Sequence, residues 1–292
     1  MPDTRKDLEQ TRLHRLYRPV PFFSVDFVLT WAPLWLMAIG IRKGWFERGM
    51  GLLVIAGISA TLSALYFVHK ARHPGFVRDF WIRAVDPTRI GAGWWFVVLF
   101  LQFALKIASV VLAAAFGIGA LDQLQPTQAF LSSPITFLLF LLVFGPIPEE
   151  LGWRGYGLDA LRTRMNLLEA SLLLSVIWGI WHLPLVFVEG SYQHGLLEYP
   201  PSLIAFFVAF FPTSILMSWI YYRTGRSTLS AILFHFAGNA AGEMFHIALP
   251  TRVISTALGF LVAAVVLWKE WDMFTQREFW LDIEGTEAVP AA

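Results

Sequence analysis

The stretch ITFLLFLLVFGPIPEELGWRGY, residues 135–156, opens as an apolar run suited to the interior of a bilayer. It closes on two prolines, two adjacent glutamates and an arginine. Working outward, apolar runs of the same kind recur at about 22–41, 50–68, 93–117, 135–149, 167–188, 201–222, 228–246 and 253–269. A hydrocarbon core about 30 Å thick takes about 20 apolar residues per helix, so these runs predict an all-α, polytopic membrane bundle of about eight transmembrane helices. The fourth, 135–149, is short by this rule. Of the 292 residues, 57% are hydrophobic and 15% charged, whereas soluble domains hold roughly 45–50% apolar residues. A formal net charge of +1 lacks the clustered basic excess that nucleic acid requires, so no nucleic-acid partner is expected. The absence of cysteine removes disulfides, thiolate nucleophiles, iron–sulfur clusters and Cys-ligated zinc.

Basic residues orient such a bundle, because cytoplasmic loops retain Lys and Arg. With the N terminus inside, 17 Lys/Arg fall in inner segments and 4 in outer ones, with Lys106 inside a span. This split predicts an N-in, C-in topology in the cell membrane. Residues 1–21 read as a cytoplasmic, interfacial lead-in rather than a signal peptide. Residues 22–117 hold the first three spans, with an inner segment at 70–83 whose aromatic and basic residues suit the headgroup region. Residues 118–269 hold the next five spans, and 270–292 form an amphipathic, then acidic, cytoplasmic tail.

Ionisable groups at bilayer depth are costly, so each is a functional candidate. Pro146 and Pro148 should bend or break the helix just before Glu149 and Glu150. Neighbouring helical residues point about 100° apart, so the two glutamates take different roles. Glu150 precedes Arg154 by four residues, the order that favours an ion pair, which leaves Glu149 to face a cavity as a general base. His182 lies deep in the fifth span. On the seventh, His235 and Asn239 stack on one helix face, among small residues that let helices approach. Glu243 and His246, nearer the outer end, suit an interfacial role. Asp26 and Lys106 stand isolated; a structural ion pair or a snorkelling amine is the plainer reading of Lys106, a counter-charge for a cavity carboxylate the other.

The nominal depths do not coincide. With Glu149 at the inner end of span four, His235 lies about 10 Å in and His182 about 20 Å in, by the 1.5 Å helical rise. The groups meet only if helices tilt or span five starts below the surface. If they meet, Glu149 and His182 deprotonate water while His235 and Asn239 hold an oxyanion. The alternative is zinc on Glu149, His182 and His235. Asn is a poor zinc ligand and a good oxyanion donor, which favours the version without a cofactor.

The strings EELGWR (149–154), WGIWH (178–182) and HFAGN (235–239) resemble the EExxxR, FxxxH and HxxxN motifs of the CAAX prenyl endopeptidase and bacteriocin-processing family of intramembrane proteases, often described as metalloproteases. Trp178 stands where that pattern has Phe. The resemblance implies Glu149 and His182 as the water-activating pair, His235 and Asn239 as oxyanion or metal partners, and Glu150 and Arg154 as support. It also implies a membrane-associated or lipidated peptide as substrate, cleaved nearer the cytoplasmic side. Two other readings stay open: a non-catalytic immunity or scaffold protein that binds a peptide, and a proton-coupled transporter, which lacks the expected inverted repeat.

Overall fold

In lipid every backbone polar group must be satisfied within the protein, which for this composition means helices. The structure, a computed structural model, describes residues 13–47 and 49–279. Among them no strand occurs, apart from an isolated bridge between Pro126 and Phe245. The principal helices are α1 (Pro19–Arg42), α2 (Met50–Gly57), α3 (Ser59–Lys70), α4 (Pro74–Val85) and α5 (Ala92–Ala115), then α6 (Pro134–Val143), α7 (Pro146–Gly152) and α8 (Leu158–Arg162), and finally α9 (Leu167–His182), α10 (Pro200–Arg223), α11 (Thr228–Glu243) and α12 (Leu249–Lys269). A π turn over Trp153–Gly157 joins α7 to α8.

Six helical runs of the described residues are long and apolar enough to cross a membrane, or seven if α2 and α3, bent by 42°, form one span. The predicted seventh span, 228–246, is the 16-residue α11, about 24 Å long at the helical rise. It packs between α5, α7 and α10. The predicted fourth span does not stop at residue 149. Its helical run continues from Pro134 to Arg162, so Glu149 lies in the middle of a membrane-length element rather than at a solvated helix end.

The two halves of that run live in different solvents. α6 has no buried residue, and Ile135, Leu139, Phe140 and Val143 are exposed, as a lipid-facing helix should be. Beyond Gly145, every residue from Pro148 to Thr163 is buried. The ladder breaks at Phe144–Gly145, where Gly145 takes φ −156° and ψ −83°, and Pro146 starts a new helix at a position whose N–H needs no partner. Close approach by α3 encloses the second half: a Cβ on Gly152 would stand 2.4 Å from Ala60 Cβ and 2.8 Å from its carbonyl oxygen. Thr61 Oγ1 donates to the Pro148 carbonyl at 2.6 Å.

The segments predicted to lie on the inner side are docked on the bundle. The 70–83 segment is mostly α4, an amphipathic helix with Phe76, Phe80 and Arg83 buried and Trp81 exposed; it packs on α11 and the π turn rather than lying only on headgroups. In the lead-in, Leu13, Leu16 and Tyr17 join the core, and residues 1–12 lie outside the described residues. The C-terminal segment docks through Phe279, under the Arg162 guanidinium; the acidic tail from residue 282 also lies outside the described residues.

One charge network ties these pieces together. Asp159, fully buried, accepts from Tyr221 (2.9 Å), Tyr222 (2.8 Å) and Arg226 Nε (3.1 Å). Arg83, also buried, donates to Asp79 (2.8 Å), to Tyr221 Oη (2.7 Å) and to the Gly155 carbonyl of the π turn (2.9 Å). Burial alone would depress the Arg226 guanidinium, but Asp159 and its neighbours outweigh burial and hold it well above its ordinary value. Asp159→Ala leaves two buried guanidinium groups short of a carboxylate, a loss of roughly 3–5 kcal/mol. Thermal unfolding in detergent should show it as a large drop in melting temperature.

Candidate active site

Glu150 has no exposed surface. An ionised carboxylate there needs partners on every side. Arg154, one turn along the same chain, donates from Nη1 to both oxygens at 3.1 and 3.0 Å. His235 Nδ1, from α11, donates to Oε1 at 2.9 Å. The Arg154 guanidinium lies 4.8 Å over the Trp178 ring, a cation–π contact in a dry setting. Glu150 and Arg154 thus form the anchoring pair that their spacing suggests, and His235 is a third member that spacing alone does not show.

Glu149 points elsewhere. Trp178 Nε1 donates to its Oε2 at 2.8 Å, and among the described residues Oε1 takes no hydrogen bond. A Cβ placed on Gly145 would stand 3.8 Å from that Oε1 and 3.4 Å from Asn239 Nδ2. The missing side chain at Gly145 is therefore what leaves space between the carboxylate and the amide. Trp178, where the family pattern has Phe, keeps an aromatic wall and adds a donor; its ring meets His235 edge-on at 5.3 Å.

His182 ends α9. The register of that helix is set by a capping box at its start, where Asn166 accepts from Glu169 N and Glu169 accepts from Asn166 N. His182 Nδ1 donates to the Trp178 carbonyl at 2.9 Å, which leaves Nε2 as the free nitrogen of the neutral ring. Trp181, Phe206 and Phe210 surround it with ring centroids 4.7 to 5.7 Å away. Both His182 and His235 lie within electrostatic reach of Glu149. The four candidates converge, and the depth mismatch disappears because Glu149 sits in mid-helix.

Among the described residues, no group of three or more His, Asp or Glu side chains is arranged to hold a metal ion, the trio Glu149, His182 and His235 included. Glu243 is partly exposed, 3.7 Å from Arg252, and His246 is exposed. Asp26, isolated in the sequence, is buried beside this site. It accepts from Ser59 Oγ at 2.7 Å, and the charge of Glu149 reaches it. Its intramembrane carboxyl is the signal that marks it; its neighbours come from distant segments.

Arg154→Met should break the buried pair and cost roughly 3–5 kcal/mol, whereas Glu150→Gln combined with it should recover part of that loss. Thermal unfolding of both variants in detergent measures the difference.

A family model described as type II CAAX prenyl endopeptidase Rce1-like matches residues 130–241, the segment that contains Glu149, Glu150, Arg154, His182, His235 and Asn239. Over 265 residues the chain is 31% identical to CAAX prenyl protease 2 of Methanococcus maripaludis, an alignment that spans 89% of this chain and 97% of that relative. A likeness running through nearly the whole of both sequences makes this chain a member of the type II CAAX prenyl endopeptidase family of multi-pass membrane proteases.

Proposed function

We propose that the chain hydrolyses a peptide bond of a membrane-associated, lipidated protein, using water activated by Glu149 and His182. The observation that carries this reading is the division of labour within the Glu149 carboxyl. One oxygen is held by Trp178, and the other faces the space between Gly145 and Asn239. A water there gives its proton to Oε1 while its oxygen attacks the peptide carbonyl. Asn239 Nδ2–H and His235 Nε2–H donate to the oxyanion that forms. His235 donates from Nε2 only as an imidazolium, because Nδ1–H already serves Glu150; Glu150 is its counter-ion. The proton taken from water then passes to the amide nitrogen, His182 serving as relay, and the C–N bond breaks.

This mechanism routes no step through a metal. The positive-inside pattern supports eight spans with both termini in the cytoplasm, and a site opening nearer that side of the cell membrane.

Glu149→Gln keeps the Trp178 hydrogen bond and removes the base. In proteoliposomes supplied with a prenylated C-terminal peptide, cleavage should fall by about 10²–10⁴-fold with an unchanged melting temperature. Undiminished turnover would remove Glu149 as the base, and a wild-type protein that binds the peptide without cleaving it would favour a scaffold. Elemental analysis before and after chelation tests the metal-free route. Turnover should survive chelation; stoichiometric zinc lost together with activity would overturn it.

A further inference from the structure

Asp26 stands on α1, fully buried within a membrane-length helix, and the reaction above makes no use of it. A carboxyl there is costly unless its oxygens are hydrogen-bonded. One of them is. Ser59 Oγ, at the start of α3, donates to Oδ1 at 2.7 Å. Thr30 Oγ1, one turn along α1, lies 2.6 Å from Ser59 Oγ and donates to the Asp26 carbonyl at 2.8 Å. These contacts fix the carboxyl between α1 and α3. Its other oxygen, Oδ2, is buried and takes no hydrogen bond among the described residues.

Trp181, on α9, is the complement. Its Nε1 is buried and likewise has no hydrogen-bond partner among the described residues, and across the contact of α1 with α9 it is a further donor within reach of the Asp26 carboxyl. Orphaned buried polar groups are rare and call for an explanation; here an orphaned donor and an orphaned acceptor face each other. The remainder of Trp181 touches apolar rings. Trp153 meets it edge-on at 5.9 Å and itself stacks on Phe23 at 6.1 Å. Ring contacts place the indole but tolerate tilt, whereas an N–H is directional. On its other side Trp181 forms a wall of the site, 4.7 Å from the His182 ring at 71°. His182 is tied by Nδ1 to the Trp178 carbonyl, and one such bond leaves the imidazole free to tilt about it. The indole wall then decides where Nε2 points.

We propose that Asp26 is a positioning residue of the reaction: its Oδ2 accepts the Trp181 indole N–H, and the indole so held sets the direction of His182 Nε2. This rests on the relay role proposed for His182 above. Asp26 touches neither substrate nor the reacting atoms. It acts through one side chain on the next, with Ser59 and Thr30 holding it from behind, so the fit between α1, α3 and α9 is transmitted to the imidazole.

Cleavage of a prenylated peptide in proteoliposomes, read as kcat and KM per folded enzyme, tests this with three variants. Asp26→Leu removes the acceptor, Trp181→Phe removes the donor but keeps an aromatic wall, and Asp26→Asn keeps an acceptor oxygen. Misplacing a catalytic group by about 1 Å costs up to about 10²-fold. Asp26→Leu and Trp181→Phe should therefore each lower kcat by about 10–100-fold with KM little changed, and Asp26→Asn should retain most of the turnover. In the double variant the two losses should not multiply, because both remove one contact. Wild-type kcat in Trp181→Phe would overturn the proposal, even if Asp26→Leu fails to fold. So would an Asp26→Asn protein as slow as Asp26→Leu, or losses that multiply in the double variant. Full turnover by His182→Ala would instead defeat the relay on which the proposal rests.

Discussion

A single buried carboxylate, Glu150, organises the interior of this protein. Removed from water, it is stable only while Arg154 and His235 neutralise it from two sides. Arg154 belongs to its own helical run and His235 to another, so the demand for charge balance fixes how α11 stands against α7. One turn along from His235, Asn239 borders the space that Glu149 faces. The 100° step of the helix thus turns one glutamate to the buried ion pair and its neighbour to the open space.

The element that carries them is shaped for the purpose. A lipid-facing helix, a break at Gly145, a proline-started turn and a π turn follow each other in one run. π turns relax the regular ladder and recur at functional positions. Here Arg83 donates to the Gly155 carbonyl within the turn, and Arg83 is in turn held by Asp79 and Tyr221. The network around Asp159 therefore braces the glutamate helix from its C-terminal end, while Thr61 and the Ala60–Gly152 contact brace it from α3. Residues in this half are buried in protein, and those before Gly145 face lipid. The site lies just past that boundary, where water is scarce but protein dipoles are fixed.

Much of this was legible in the residues. The apolar runs and sparse charges specify a helical membrane bundle because no other backbone satisfies itself in hydrocarbon. The EELGWR, WGIWH and HFAGN strings mark the catalytic candidates because intramembrane polar groups are too costly to be incidental. The i,i+4 spacing of Glu150 and Arg154 determines their pairing. Less legible were the ends of elements. The apolar run ends span four at the glutamates, since a charged, glycine-rich stretch buried in protein looks the same in sequence as one facing cytosol.

What only the tertiary structure decided were the contacts between segments far apart in sequence. His235 on Glu150, Trp178 on Glu149, Asp26 beside the site and Arg83 on the π turn each join residues that no local spacing relates. The composition, charge distribution and short-range periodicity of the chain determined that it is a helical membrane protein with three polar motifs, because those properties act within a few residues. The packing of those helices decided which polar groups share one dry space, because burial and ion pairing depend on neighbours that only the folded chain supplies.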